Sequence, residues 1–263
     1  MQQQKNANLK RRAELEEARA EAWGDPVRGK LTPYVESFDS AGQAARTADT
    51  KDIYGNVVSE GHELPTSSHL LNHLLTRQEV DEALEQSYNL TKPVTSDIGE
   101  LADPAEEGKA LEEHEARHKH AVEVVNRIVS MENANGKIRR HINIRRCIET
   151  FGRHNTDTVL DQKLPSIHQN PAEMPVRAGP DTGSSEVQIA ILTSKIRRLQ
   201  EELSTNRGFQ KDKMNKRNMR LLVHKRQKLL RYMERRERGS GRWTHLLETL
   251  GLTPATWKGQ ITL

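Results

Sequence analysis

Cysteine is nearly missing from this sequence: Cys147 is the only one in 263 residues. That excludes an internal disulfide and a Cys-based zinc site, and it suits a reducing compartment. Aromatic residues are scarce at 4%, and hydrophobic residues reach only 34% against 30% charged, with mean hydropathy −0.83. An average globular chain is roughly 45–50% apolar with glycine counted. A chain this polar cannot bury enough apolar surface to offset the entropy of ordering every residue. The composition therefore predicts small helical units joined by segments that order only against a partner. No apolar run approaches the ~20 residues of a membrane-spanning helix, so no membrane partner is expected. The beginning of the sequence is not a secretory signal. Lys10, Arg11 and Arg12 suit a transit peptide, but Glu14, Glu16 and Glu17 follow at once, and such peptides are poor in acids.

Charge is present but unevenly spread. The net charge is +4. Residues 181–263 hold 18 Lys and Arg against 8 Asp and Glu, while residues 1–180 carry a net −6. A concentrated basic segment points to a polyanion. The acidic part suits protein contacts.

Along the chain, 7–22 reads as a charged, exposed helix stopped by Gly24-Asp25-Pro26. The stretch 23–64 reads as extended linker. An apolar patch at Leu70, Leu71, Leu74 and Leu75 precedes Thr76-Arg77-Gln78-Glu79, which has capping-box spacing, with Val80, Ala83 and Leu84 behind it. Residues 97–115 hold eight acids against one Lys and are expected to be solvated or docked on something basic. A helix is predicted over Ala116–Met131 and another over Lys137–Arg153. The second turns Ile138, Ile142, Ile148 and Phe151 inward and Arg139, Arg140, Arg145 and Arg146 outward. Pro165, Pro171, Pro175 and Pro180 make 154–180 a loop.

The basic segment is the best organised. Ser184 and Ser185 suit a helix cap, with Gln188 at capping spacing from Ser185. Val187, Ile191, Leu192, Ile196, Leu199 and Leu203 follow at helical spacing. Asn206-Arg207-Gly208 reads as a turn. A second long helix, about 212–237, has Met219, Leu222, Leu229, Leu230 and Met233 inside. Outside it carries Lys213, Lys216, Arg217, Arg220, Lys225, Arg226, Lys228, Arg231, Arg235 and Arg236. Gly239-Ser240-Gly241 leads to a short helix with Trp243, Leu246, Leu247 and Leu250, ended by Gly251 and Pro254. The basic outer faces lack acidic partners until Glu234, so the cations repel one another and destabilise the isolated helix. Phosphates would remove that penalty and release counterions.

Other chemistry finds little support. His114, Glu115 and His118 match H-E-x-x-H, in which a helix presents two zinc-binding His and a Glu base. Glu112, Glu113, Arg117 and Lys119 crowd the motif, and no apolar wall surrounds it. A solvated charged helix is the simpler reading, with a zinc hydrolase as the minor alternative. Cys147 follows Arg145 and Arg146, basic residues that would lower its pKa if it were exposed; packing is the default for it. No catalytic residue, metal or cofactor is expected.

Asp181-Thr-Gly-Ser-Ser-Glu-Val-Gln188 resembles the D-T-G-S-x-E-V-Q signature of the S-fifteen family of small-subunit ribosomal proteins. The likeness continues through ILTSKIRRLQ (191–200), the L-V-x-K-R-x-K-L-L-x-Y-M pattern at 222–233 and LLETLGL at 246–252. Upstream, Ile148-Glu-Thr-Phe-Gly-Arg153 resembles the end of the family's first helix. The resemblance implies an all-α, four-helix core at 137–252 with an inserted loop at 154–180. A partly helical extension (1–136) precedes it and a tail (253–263) follows. Long extensions around a bacterial-type core suggest a mitochondrial ribosome, hence the mitochondrial matrix.

The resemblance further implies binding to small-subunit rRNA at a helical junction, a role in early assembly, and contact with large-subunit rRNA across the subunit interface. By family analogy the junction is met by Thr182, Gly183 and Gln188 in the turn and by Tyr232 and Arg235 on the long helix. Lys216, Arg217, Arg220, Lys225, Arg226 and Lys228 line the same helix. A second family site, a His–Asp–Ser cluster read against an RNA minor groove, keeps Asp212, has Asn215 for Ser and Glu202 for His, after an insertion around 206–211. The extension is expected to contact neighbouring mitoribosomal proteins. The competing reading is a non-ribosomal RNA-binding translational regulator.

Overall fold

The structure is a computed structural model that describes residues 2–51, 57–67, 71–93, 104–160, 177–205 and 212–261. Within these residues the chain is mainly helical: α1 (Gln2–Trp23), α2 (Pro33–Glu36), α3 (Arg77–Thr91), α4 (Pro104–Val129), α5 (Gly136–Phe151), α6 (Arg153–Val159), α7 (Ser185–Thr205), α8 (Lys213–Glu237) and α9 (Gly241–Leu250). The all-α expectation holds, with one small addition, an antiparallel ribbon of β1 (Thr50–Lys51) and β2 (Val57–Ser59). Leu70, the acids at 97, 100 and 103, the prolines at 165, 171 and 175, and the turn and insertion expected at 206–211 lie outside the described residues.

The chain divides into two compact units, one of 1–65 with 143–263 and one of 66–142. The division therefore falls inside α5 and not at the 136/137 boundary read from the sequence.

The first unit is built on α7 and α8. Val187, Ile189 and Ala190 at the start of α7 share a cluster with Leu230 and Met233 late in α8. Ile196 and Leu203, further along α7, pack with Met219 and Val223 early in α8. The two helices are thus antiparallel. Ser184 rather than Ser185 caps α7: its carbonyl accepts from the Gln188 amide at 3.1 Å and its hydroxyl from the Val187 amide at 3.5 Å. α9 is capped by Ser240, stops at left-handed Gly251, and closes the cluster with Trp243, Leu246 and Leu250.

The described residues of 23–64 are not an extended linker. Val27, Tyr34, Val35, Phe38 and Ala41 are buried, and Tyr34, Val35 and Phe38 join the main cluster with Cys147 and Phe151. Their irregular spacing around Gly and Pro hid them from any periodic pattern. Gly29 is required here: a Cβ on it would meet the Gly251 carbonyl oxygen at 2.5 Å, where the segment crosses the end of α9. The described part of the expected tail, 253–261, is likewise packed: Ala255, Thr256, Trp257 and Ile261 are buried.

Arg146, expected outward on α5, is buried. It donates to the Ser37 hydroxyl at 2.6 Å and to the carbonyls of Ser37 and Pro65, each at 3.1 Å, beside the rings of Tyr34 and Phe38. The loop expected at 154–180 begins instead with the helical turns of α6.

In the second unit, α3 carries the capping box expected at Thr76 and Glu79. The acidic stretch becomes helical from Pro104, because proline suits the first helical position and Glu106 and Glu107 favour the positive end of the dipole. Glu113–Arg117 and Glu123–Arg127 then pair at i,i+4, at 2.9 and 2.5 Å, in the favourable acid-first order. Among the described residues of this unit the buried apolar side chains are Val80, Val129, Met131, Ala134 and Ile142.

Candidate nucleic-acid interface

The D-T-G-S turn is fixed by α6. The Asp181 carboxylate accepts from the Arg153 amide at 3.2 Å and from the amides of Gly183 and Ser184, each at 3.1 Å. The Asp181 amide donates to His154 Nδ1 at 3.2 Å. Burial works to raise the Asp181 pKa, but the backbone donors of Arg153, Gly183 and Ser184 and the Ser184 hydroxyl outweigh it and hold the carboxyl below its ordinary value. Arg153 also reaches Glu186 on α7 at 3.1 Å and Glu237 on α8 at 3.7 Å. Arg242 on α9 pairs with Asp157 on α6. The turn therefore sits in a frame of hydrogen bonds and ion pairs that joins four helices.

Thr182 and Gly183 are exposed at its tip. A Cβ added at Gly183 would meet nothing within 4 Å, so the fold does not require glycine there. Gln188 donates to the Gly183 carbonyl at 3.3 Å and braces the turn. The antiparallel packing of α7 and α8 brings this turn to the end of α8 that carries Tyr232 and Arg235. Tyr232 is 46% exposed, with the Arg236 guanidinium 6.0 Å from its ring centre. The residues expected at the first RNA site are thus brought together.

The second expected site lies near the other end of α8, about 25 Å away at 1.5 Å per residue. Asp212 is the α8 cap: it accepts from the Asn215 amide at 3.0 Å and the Asn215 side-chain amide at 2.6 Å. Glu202 pairs with Arg198 at 3.4 Å. The Asp–Asn pair is occupied in holding the helix start.

Along α8, Arg217, Arg220, Lys225, Lys228 and Arg235 are exposed and Lys216 is half-buried. Arg217, Lys225, Lys228 and Arg235 form no ion pair among the described residues. Arg226 is a correction. It is fully buried, and it donates to the carbonyls of Val27 at 2.6 Å and Pro26 at 3.3 Å. Its position among the inward residues Met219, Val223, Leu230 and Met233 turns it into the core. Burial pushes its pKa down to about 10, with Asp25 opposing the shift, so it stays charged at neutral pH. Arg231 is also engaged, donating to the carbonyls of Trp257 and Gly259, each at 2.8 Å.

The H-E-x-x-H residues lie on α4. His114 is buried with Nε2 2.9 Å from the Thr91 hydroxyl, and the Tyr88 ring lies against both His114 and His118. Among the described residues no group of three His, Cys, Asp or Glu side chains could hold a metal ion. The positioning residues Arg153, His154 and Asp157 were missed from the sequence. Only Ile148–Arg153 carried a signal, because residues 160–180 separate α6 from the turn it holds.

The arrangement is a helical hairpin with a framed turn at one end and a cationic outer face. Residues 173–253 match the family described as Ribosomal protein S15. The chain is 56% identical to "Small ribosomal subunit protein uS15m" of Neurospora crassa over 264 residues, covering all of this chain and 82% of the relative. It is 25% identical to the protein of the same name in Schizosaccharomyces pombe over 287 residues, covering 95% of this chain and 81% of that one. The chain belongs to the S15 family of small ribosomal subunit proteins, in its mitochondrial form. Its role is structural and not enzymatic.

Proposed function

We propose that this chain, a structural constituent of the mitochondrial small ribosomal subunit in the mitochondrial matrix, binds small-subunit rRNA at a helical junction. The framed turn and the last turns of α8 meet the junction, and the middle of α8 neutralises phosphates. One contrast carries the reading. Three other arginines near the same core are each matched by a carboxylate: Arg153 with Glu186, Arg197 with Asp39, Arg242 with Asp157. Arg217, Lys225, Lys228 and Arg235 have no such match among the described residues. Clustered cations repel, so their place on one helix is favourable only beside a polyanion.

The roles follow from the chemistry. Thr182 supplies a hydroxyl and Gly183 open backbone, Tyr232 a flat face with a hydroxyl, and Arg235 a fork for one phosphate. Through these contacts the chain aids early assembly, and its remaining exposed surface meets large-subunit rRNA across the subunit interface. The unit 66–142, with fourteen acids against nine Lys and Arg, contacts neighbouring mitoribosomal proteins.

The test is binding of the full chain to a three-way junction from mitochondrial small-subunit rRNA and to an arbitrary duplex of equal length, across a range of salt. Preference for the junction with a steep salt dependence is expected. Equal affinity for both RNAs would overturn the junction reading. Release of the protein from small subunits by a moderate salt wash would favour a translational regulator.

A further inference from the structure

Helix α1 takes no part in either hydrophobic cluster. Its described side chains are all exposed, including Leu9, Leu15 and Trp23 at 63, 50 and 49%. A helix polar on every side gains no stability from burial. Its charges also oppose its own dipole. Lys5, Lys10, Arg11 and Arg12 lie in the first half, whereas Glu14, Glu16, Glu17 and Glu21 dominate the second. The positive end of a helix favours anions. Local pairing offers little relief: Lys10 with Glu14 and Arg12 with Glu16 have the weaker, base-first order. Among the described residues none of these charges forms an ion pair.

The root of α1, by contrast, is held firmly. Asp25 accepts from the Val27 amide at 2.7 Å, and Arg226 holds Pro26 and Val27. From the helix end at Trp23, 1.5 Å per residue places Arg12 about 17 Å and Lys5 about 27 Å along the helix. Lys5, Asn8, Leu9, Arg11, Arg12 and Leu15 line one open surface of the helix.

We propose that the first half of α1 is a separate RNA-binding arm, with Lys5, Lys10, Arg11 and Arg12 on rRNA phosphates. Phosphates at this end cancel both the repulsion among the cations and their conflict with the dipole. Leu9 and Leu15 alone give too little apolar area for a membrane-inserted helix or for the apolar centre of a protein interface. The choice of RNA as the polyanion rests on the ribosomal reading above.

The experiment compares the full chain with a variant carrying Lys5→Gln, Lys10→Gln, Arg11→Gln and Arg12→Gln. Binding to the junction RNA with its flanking helices is measured against salt, with helicity followed by circular dichroism. Wild type is expected to gain helicity on binding. The variant should lose that gain, bind about tenfold or more weakly, and show a salt slope shallower by about three. Its preference for junction over duplex should survive, since that belongs to the turn and α8. An unchanged slope and helicity gain would overturn the arm, whichever RNA is used. Loss of junction preference in wild type would instead overturn the reading of α8. Crosslinks from residues 5–12 to protein alone in intact small subunits, or binding of α1 to anionic phospholipid vesicles in preference to RNA, would also overturn the arm.

Discussion

Arg226 donates to the carbonyl of Val27 at 2.6 Å, across 199 residues of chain. A cation of α8 is thereby used to fasten the segment after α1 into the core. Hydrogen bonds from charged donors are about twice as strong as neutral ones, and carbonyls left unpaired in a buried site are costly.

Arg226→Met is expected to cost about 2–4 kcal/mol in urea denaturation, because the carbonyls of Pro26 and Val27 lose their donor. Its RNA salt slope should match wild type. Lys228→Met should do the opposite, holding stability within about 0.5 kcal/mol and flattening the slope by about one. A flattened slope for Arg226→Met at full stability would return Arg226 to the RNA face.

Gly183→Val separates fold from recognition. Open space around the position predicts an unchanged denaturation midpoint. Junction affinity should fall at least tenfold with little change in slope, because the side chain blocks approach to the backbone. Unchanged affinity would remove Gly183 from the interface.

Asp181→Asn tests the frame of the turn. The folded-state pKa of Asp181 is depressed, so its stabilisation is present above the ordinary carboxylate value of 3.8 and is lost as pH falls through the depressed value. The variant loses the charge that its three amide donors favour and should lose about 1 kcal/mol near pH 7, the difference between charge-assisted and neutral hydrogen bonds. The two proteins should converge in stability as the solution is acidified below about pH 4. A constant gap across that range would contradict the role of the charge.

Cys147 follows two arginines, Arg145 and Arg146, in sequence yet is fully buried in the fold. Burial raises its pKa to about 12, with the Tyr34 hydroxyl and the Arg146 charge only partly opposing. Thiol labelling at pH 8 should be negligible in the native chain and should follow global unfolding in urea. Rapid native-state labelling would show that the cluster around Tyr34 and Phe38 opens.

The periodic elements were legible. The spacing of Val187 to Leu203 and of Met219 to Met233 located α7 and α8, and Gly251 located the end of α9. Residues 24–65 were not, because Val27, Tyr34 and Phe38 bury singly between turns and leave no repeat. Arg146 and Arg226 look like neighbouring surface arginines until the carbonyls they hold are placed beside them. The cationic face of α8 could be counted from the sequence. The frame around the turn could not, since Arg153 and Asp181 are brought together by folding across 28 residues.

The most direct test of the central claim is RNA–protein crosslinking with mass spectrometry on intact mitochondrial small subunits. Crosslinks from Tyr232 and from residues 182–188 should map to one helical junction of small-subunit rRNA. Crosslinks from these residues to protein alone, or to scattered rRNA sites, would contradict the account.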